Sequence, residues 1–475
     1  MNYTIEELQK WDDRIFERVA EFGLDPFPQQ FEICDHFQML GFMAYSGMPS
    51  RYPHWSFGKA YEKQKTLYDY GVSGLPYEMV INSNPCLAYL MRDNSLLLQI
   101  LTIAHVYAHN DFFKNNFTFR HSEPEFTIER FKTHADRVRD YVEAPSIGQE
   151  KVDYILDAAH ALSLQCRRNL EIRKLSLEEQ KDHIWENSHP PDDPHQEIHG
   201  RAEWEAPDLE RIPLEPEEDL LLFLRDHSPQ LDEWAKDLLS IIHEETQYFL
   251  PQIETKIMNE GWASYWHRKI LDSLELPQEL HMEFLVRHNQ VLKPTPGQIN
   301  PYHLGYKIYE DIEKRWNEPS EEEKGEFGRK GNEGLKKIFQ VREADRDASF
   351  IRQYLTEELA RELDLFQHEK KGDERVVTHV ADEENWEQIK QTLLKNVGTA
   401  SLPVIKVMDA DYLGNRTLYL QHDYDGRELD LEYAEKTLAY TQRLWGRTVV
   451  LETLLDDKNY HLVHDGKQFK TVEVE

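Results

Sequence analysis

The chain has 475 residues, and 88 acidic against 55 basic side chains give it a formal charge of −33 at pH 7. Such a surface repels phosphate backbones and anionic lipid headgroups, which argues against a general nucleic-acid binder and favours solubility. Cys34, Cys86 and Cys166 lie far apart with no Cys-x-x-Cys pair, so neither a disulfide framework nor a thiolate zinc site is indicated. The acidic start of the chain lacks an apolar signal region, and no run approaches the roughly 18 apolar residues of a membrane span, so a soluble cytoplasmic protein is expected.

In chain order, Thr4 and Glu7 form a capping box for a first helix ending near Gly23. A second helix is expected after Pro28, running to Gly41 or Tyr45. Residues 47–59 read as a shaped aromatic loop, in which His54 and Trp55 either line a pocket or, as expected, pack the loop with its other aromatics, and 77–82 as a short extended segment. Asn84-Pro85 reads as a helix start, and Leu87–Phe113 as a helix apolar on nearly every face, hence buried on all sides. Two amphipathic helices should occupy 124–170. Residues 172–218 are acidic and proline-rich, a connection or lid. From Pro229 to Leu271 a long helical pattern is kinked or split by Pro251. Asn300-Pro301 opens another helix, to about Trp316, and 318–334 read as a surface loop. After Gly372 the pattern turns to strands and helices in the order β-α-β-β-α-β plus a hairpin, that of a ferredoxin-like sandwich. The expected fold class is therefore α+β, with a helical domain over 1–371 and an α/β domain over 372–475.

The chemistry concentrates in two helical signatures. His105 and His109 are four residues apart and share a helix face. Glu260 and His267 are seven apart, two turns, and also share a face. Two such helices crossing would gather three imidazoles and a carboxylate. A His-x-x-x-His pair alone is weak, since His195 and His199 repeat the spacing in a polar stretch where nothing is expected. His105 and His109 differ in lying on an apolar helix, where unpaired polar groups are costly. From residue types alone, a metal site and a buried hydrogen-bonded network both remain open. His281 and His288 share a face by the same seven-residue spacing, and a solvated surface is expected for them.

Asn259-Glu260-Gly261-Trp262-Ala263 resembles the Asn-Glu-Gly-aromatic-Ala helix of zinc peptidases, whose Glu is the third ligand after a His-Glu-x-x-His pair. Here Val106 stands where that pattern has its Glu, so the usual base for activating metal-bound water is missing. Either another carboxylate serves or the site does not hydrolyse peptides; Asp111, Glu244 and Glu245 are nearby acids for each of which a structural role is expected, and Glu245 is the replacement base to test. The resemblance widens to the stage V sporulation protein R (SpoVR) family in several strings. They include Pro53-His54-Trp55-Ser56-Phe57-Gly58-Lys59, Tyr77 to Pro85, Ala104 to Asn116, Tyr248 to Ala263, Asn300 to Gly305 and Ile338 to Glu343. It covers nearly the whole chain. It implies a bacterial, cytoplasmic protein linked to spore cortex formation, whose partners elsewhere are a serine-kinase-like protein and a von Willebrand-type protein. The reading carried forward is a metal-dependent hydrolase of a peptide or amide bond. His105, His109 and Glu260 would be ligands to a divalent ion, Zn or alternatively Fe or Mn, with His267 a fourth ligand or a transition-state hydrogen-bond donor. The rival is a non-catalytic regulatory or scaffold protein of cortex assembly, with a closed structural metal site or none.

Overall fold

The computed structural model describes residues 3–72, 74–169, 172–188, 206–294, 299–371, 374–380 and 386–474. Helices dominate and a five-stranded sheet lies near the C-terminus, so the α+β class holds. The chain forms two compact units: Met1–Arg139 with Gln247–Ser401, and Asp140–Thr246 with Leu402–Glu475. The division expected at Gly372 falls outside the described residues, as do His195 and His199.

The first unit is built around the helix Leu96–Asn115, whose residues from Leu97 to Phe113 are all buried. Ser95 starts it by accepting a hydrogen bond from the Leu98 N–H (3.2 Å). The helices Ile5–Glu21, Lys256–Ser273, Gln278–Val291 and Gly334–Ala344 pack around it. A three-stranded sheet flanks it: Gln29–Cys34 runs parallel to Cys86–Met91, which pairs antiparallel with Glu78–Ile81. Two expectations are corrected here. The segment after Pro28 is a strand, with the helix His36–Ala44 following an Asp35 cap. The alternation of Phe31 and Ile33 with Gln30 and Glu32 carries period two, not 3.6. Asn84-Pro85 does not open the buried helix. It precedes the central strand Cys86–Met91, whose short apolar run has no period that separates strand from helix. The expected 47–59 loop also ends early, since His54 caps a helix Trp55–Asp69.

Pro251 lies inside the helix Glu233–Glu254, and the split comes after it, at Thr255. The Thr255 hydroxyl donates to the Pro251 carbonyl (2.6 Å), and the new helix Lys256–Ser273 is capped from far away in sequence. The buried Asp347 carboxylate accepts both the Ile257 and Met258 N–H groups at 2.9 Å. This distant cap fixes where the Glu260 helix begins.

In the second unit the sheet has the strand order Phe469–Glu473, Lys458–His464, Val449–Leu455, Thr417–His422, Ile405–Tyr412. Thr417–His422 and Val449–Leu455 are parallel and are joined through the helix Leu431–Trp445. The ferredoxin-like order is not what forms. Glu374–Val380 pairs with Phe366–Lys371 in a separate two-stranded sheet, and one helix, not two, lies within the five-stranded run. Part of the expected lid has a structural role: Glu217 exchanges backbone hydrogen bonds with Val407, and the Ala410 N–H donates to the Ile212 carbonyl. That segment covers the edge strand Ile405–Tyr412, a common protection against edge-to-edge pairing. The helix Gln149–Leu162 packs on Leu431–Trp445, where Arg443 sits over the Tyr154 ring at 4.1 Å. Residues 402–475 expressed alone therefore lose both an edge cover and a helix partner. They are expected to aggregate or to lack a cooperative melt by circular dichroism. A stable, monomeric, cooperatively folding fragment would contradict this.

Candidate metal centre

His105 and His109 project from one face of the central helix, four residues apart, and Glu260 meets them from the second turn of the Lys256–Ser273 helix. The two helices are in extensive contact. The Glu260 Oε2 atom lies 3.5 Å from His109 Nε2 and 3.8 Å from His105 Nε2, and the three donor atoms all fall within 4.8 Å of one another. Ligands about 2.1 Å from a tetrahedral ion stand roughly 3.4 Å apart, close to these separations. They are too long for hydrogen bonds. Glu260 Oε2 is buried and has no hydrogen-bond partner. A carboxylate oxygen left so costs several kcal/mol unless a cation or proton meets it, on the order of the penalties for buried unsatisfied charges. The donor set of two imidazoles and one carboxylate therefore fits a divalent cation.

The far side of each imidazole is held. His109 Nδ1 is 2.8 Å from the Asn259 side-chain carbonyl, which can only accept there, so the proton sits on Nδ1 and Nε2 faces Glu260. His105 Nδ1 is 2.9 Å from His267 Nδ1. Burial and the neighbouring His109 push His105 down to about 4. Burial opposes ionisation of Glu260, yet the close approach of His105 and His109 outweighs it and holds the carboxyl well below its usual range. The same partnership raises His109 above its usual value against the effect of burial.

Of the residues singled out in sequence, three converge. His267 stands behind His105, with its other nitrogen on His288 Nδ1 at 2.8 Å, and burial keeps its ring well below the usual imidazole range. Glu245 is buried in the helix Glu233–Glu254 and falls in the second unit, whereas the three donors fall in the first. Asp111 is structural. It is fully buried and accepts from Trp262 Nε1 (2.9 Å), Arg342 Nη1 (2.7 Å) and the Asp25 N–H (2.8 Å), tying the two-histidine helix to the Glu260 helix. Asn116 donates to the Arg342 and Asp345 carbonyls in the same way.

Three neighbours were not expected at the site. His288 is buried, which corrects the solvated surface expected for it. The usable signal was Phe284, four residues earlier, which puts His288 on that helix's only buried stripe. Glu78 is a carboxylate whose charge acts on His109, and burial, opposed by His109, raises it to about 7. Strand alternation sends Glu78 to the face of Val80, which packs on the core around the two-histidine helix, while Met79 and Ile81 pack on the opposite side. Tyr302 stacks on His105 with ring centroids 6.2 Å apart, and the Glu260 charge pushes its phenol well up.

Fold and donors define a helical protein with a buried two-histidine, one-carboxylate centre. Residues 2–402 match the family model described as SpoVR like protein, and 403–456 match the SpoVR-like C-terminal domain. The chain belongs to the SpoVR family. It is 33% identical over 478 residues to the uncharacterized protein YcgB of Escherichia coli (strain K12), covering 94% of this chain and 92% of that one. No solved structure matches. Among the described residues no helix is long and apolar enough to cross a membrane.

Gly261, beside Glu260, explains part of the signature. A Cβ there would lie 2.4 Å from the Gly305 backbone, and one on Gly305 would lie 2.1 Å from the Ile257 carbonyl. The helices Lys256–Ser273 and Pro301–Asn317 thus cross backbone to backbone, which brings Tyr302 to the donors. G261A should destabilise by about 3 kcal/mol or more, at the upper end of overpacking costs. G58A, at an exposed helical site with nothing within 4 Å, should be neutral or stabilising by about 0.5–1 kcal/mol. Urea denaturation of both variants checks the contrast, and equal midpoints would refute the crossing.

Proposed function

We propose that the chain is a metal-dependent hydrolase in which His105, His109 and Glu260 hold a divalent ion, Zn2+ foremost, with Fe2+ and Mn2+ suited to the same donors. The orphaned Glu260 Oε2, facing two imidazole nitrogens at 3.5 and 3.8 Å, carries this reading. Among the described residues three donors converge, not four, which leaves room for water and favours catalytic use over a closed structural site. A bound ion would lower the pKa of water and polarise a carbonyl.

The chain's own groups supply the rest. Glu78, whose charge acts on His109, would take the proton that Val106 cannot, and its raised pKa lies near the operating range of a general base. The Tyr302 hydroxyl, kept protonated beside Glu260, would donate to a developing oxyanion. Asn259 and His267 orient the two imidazoles from behind. The substrate would be a peptide or amide bond connected with spore cortex peptidoglycan, and a serine-kinase-like and a von Willebrand-type protein would be the partners. Family membership supports both, together with a cytoplasmic location. The regulatory reading is favoured by one observation, the Val106 substitution, and loses weight if Glu78 serves as base.

Glu260→Gln should keep the fold and weaken Zn2+ binding at least about a hundredfold, beyond what outer-shell losses cause. Glu78→Gln should leave affinity near that of the unsubstituted chain and lower turnover about a hundredfold, read in cells as failed cortex assembly. Glu245→Gln is the comparison. Isothermal titration with Zn2+ and complementation of a deletion strain measure the two effects. Unchanged Zn2+ affinity in Glu260→Gln would sink the metal reading, and a defect in Glu245→Gln with none in Glu78→Gln would return the base role to Glu245.

A further inference from the structure

His105, His267 and His288 form a continuous chain of ring nitrogens. His105 Nδ1 is 2.9 Å from His267 Nδ1, His267 Nε2 is 2.8 Å from His288 Nδ1, and His288 Nε2 is 3.3 Å from Arg268 Nη1. The three rings are buried, while the Arg268 side chain is 41% exposed and has Asp272 as a second partner at 3.6 Å. Each neutral ring carries one proton, and each nitrogen-to-nitrogen link uses one. The polarity of the chain is therefore set at its ends.

A guanidinium only donates. With Arg268 donating to His288 Nε2, the His288 proton sits on Nδ1 and goes to His267 Nε2. The His267 proton then sits on Nδ1 and goes to His105 Nδ1. The His105 proton is left on Nε2, facing Glu260. A metal on His105 Nε2 needs that lone pair, so every link must reverse: His105 Nδ1–H to His267, His267 Nε2–H to His288, and His288 Nε2–H outward. One proton leaves His105 Nε2 and one enters His288 Nε2 from solvent, so the rings keep three. The outward N–H then points at a guanidinium that cannot accept it.

We propose that metal on His105 and the Arg268–His288 hydrogen bond exclude each other, so that His288 is a positioning residue and Arg268 competes with the metal from the protein surface. The inference rests on the metal reading above. It gives the half-exposed Arg268 a reciprocal link to occupancy of a buried site, since whatever removes Arg268 from His288 must favour metal by the same factor.

The test uses the full chain and Zn2+ in competition with a chromophoric chelator. R268Q replaces a donor with a side chain whose carbonyl accepts the outward N–H, and it should bind Zn2+ about threefold to tenfold more tightly, the range of one hydrogen bond. R268K still donates and should stay within about twofold of the unsubstituted chain. In an H288F background the R268Q gain should vanish. If that background does not fold, R268M decides: it removes the charge without adding an acceptor and should gain less than R268Q. Equal gains for R268Q and R268M, a gain that survives H288F, or no gain would overturn the relay, the first two showing charge repulsion alone. If the unsubstituted chain binds Zn2+ no better than H105A/H109A, the metal reading falls and takes the relay with it. If it binds better but the Arg268 variants do not differ, only the relay falls.

Discussion

One carboxylate oxygen organises this structure. Glu260 Oε2 sits in the interior of a helical unit without a hydrogen-bond partner, with two imidazole nitrogens close to it at 3.5 and 3.8 Å. Interiors do not tolerate an unmet charge, and proteins answer one by pairing it, protonating it or binding a cation. The two imidazoles hold the Glu260 carboxyl well below its usual range, which favours the ionised form. The surroundings then make sense as a device for holding three donors at ligand spacing. Asn259 fixes one ring, His267 the other, and neither Nε2 is diverted to another partner.

Holding the donors requires holding two helices. The Gly261–Gly305 crossing sets how closely the Glu260 helix approaches its neighbour, and no side chain larger than hydrogen fits there. Asp347 sets where that helix starts, and Asp111 joins it to the two-histidine helix through Trp262 and Arg342. Many of these groups fall within the strings shared with the SpoVR family, so those strings encode the scaffold of the centre as much as its donors. Hydrogen bonds to a buried charge contribute about 1.5–3 kcal/mol each, enough to prefer one helix register over the next.

The sequence exposed this centre unevenly. His105, His109 and Glu260 were legible because i, i+4 spacing on an apolar helix and a glutamate beside a glycine are local patterns. The α+β class was legible for the same reason, since period two and period 3.6 separate over long runs. Glu78 was not, because a single acid on a four-residue strand has no pattern of its own and its meaning comes from Val80 facing the core. His288 was hidden by its pairing with His281 at a spacing that also describes a surface face. The split at Thr255 depended on Asp347, about ninety residues away, which no local rule anticipates. The strand after Pro28 and the one after Pro85 were ambiguous because short apolar runs carry too little periodicity. Nor does periodicity say that residues 140–246 share a compact unit with 402–475.

The central claim is that the Glu260 oxygen is met by a metal ion, and elemental analysis combined with anomalous scattering tests it most directly. Protein made without a histidine tag should carry about one equivalent of Zn, Fe or Mn per chain. Crystals should show one anomalous peak within about 2.3 Å of His105 Nε2, His109 Nε2 and Glu260, the bond length expected for such ligands. Stoichiometric metal located elsewhere, or an empty centre after dialysis against each of the three ions, would contradict the account.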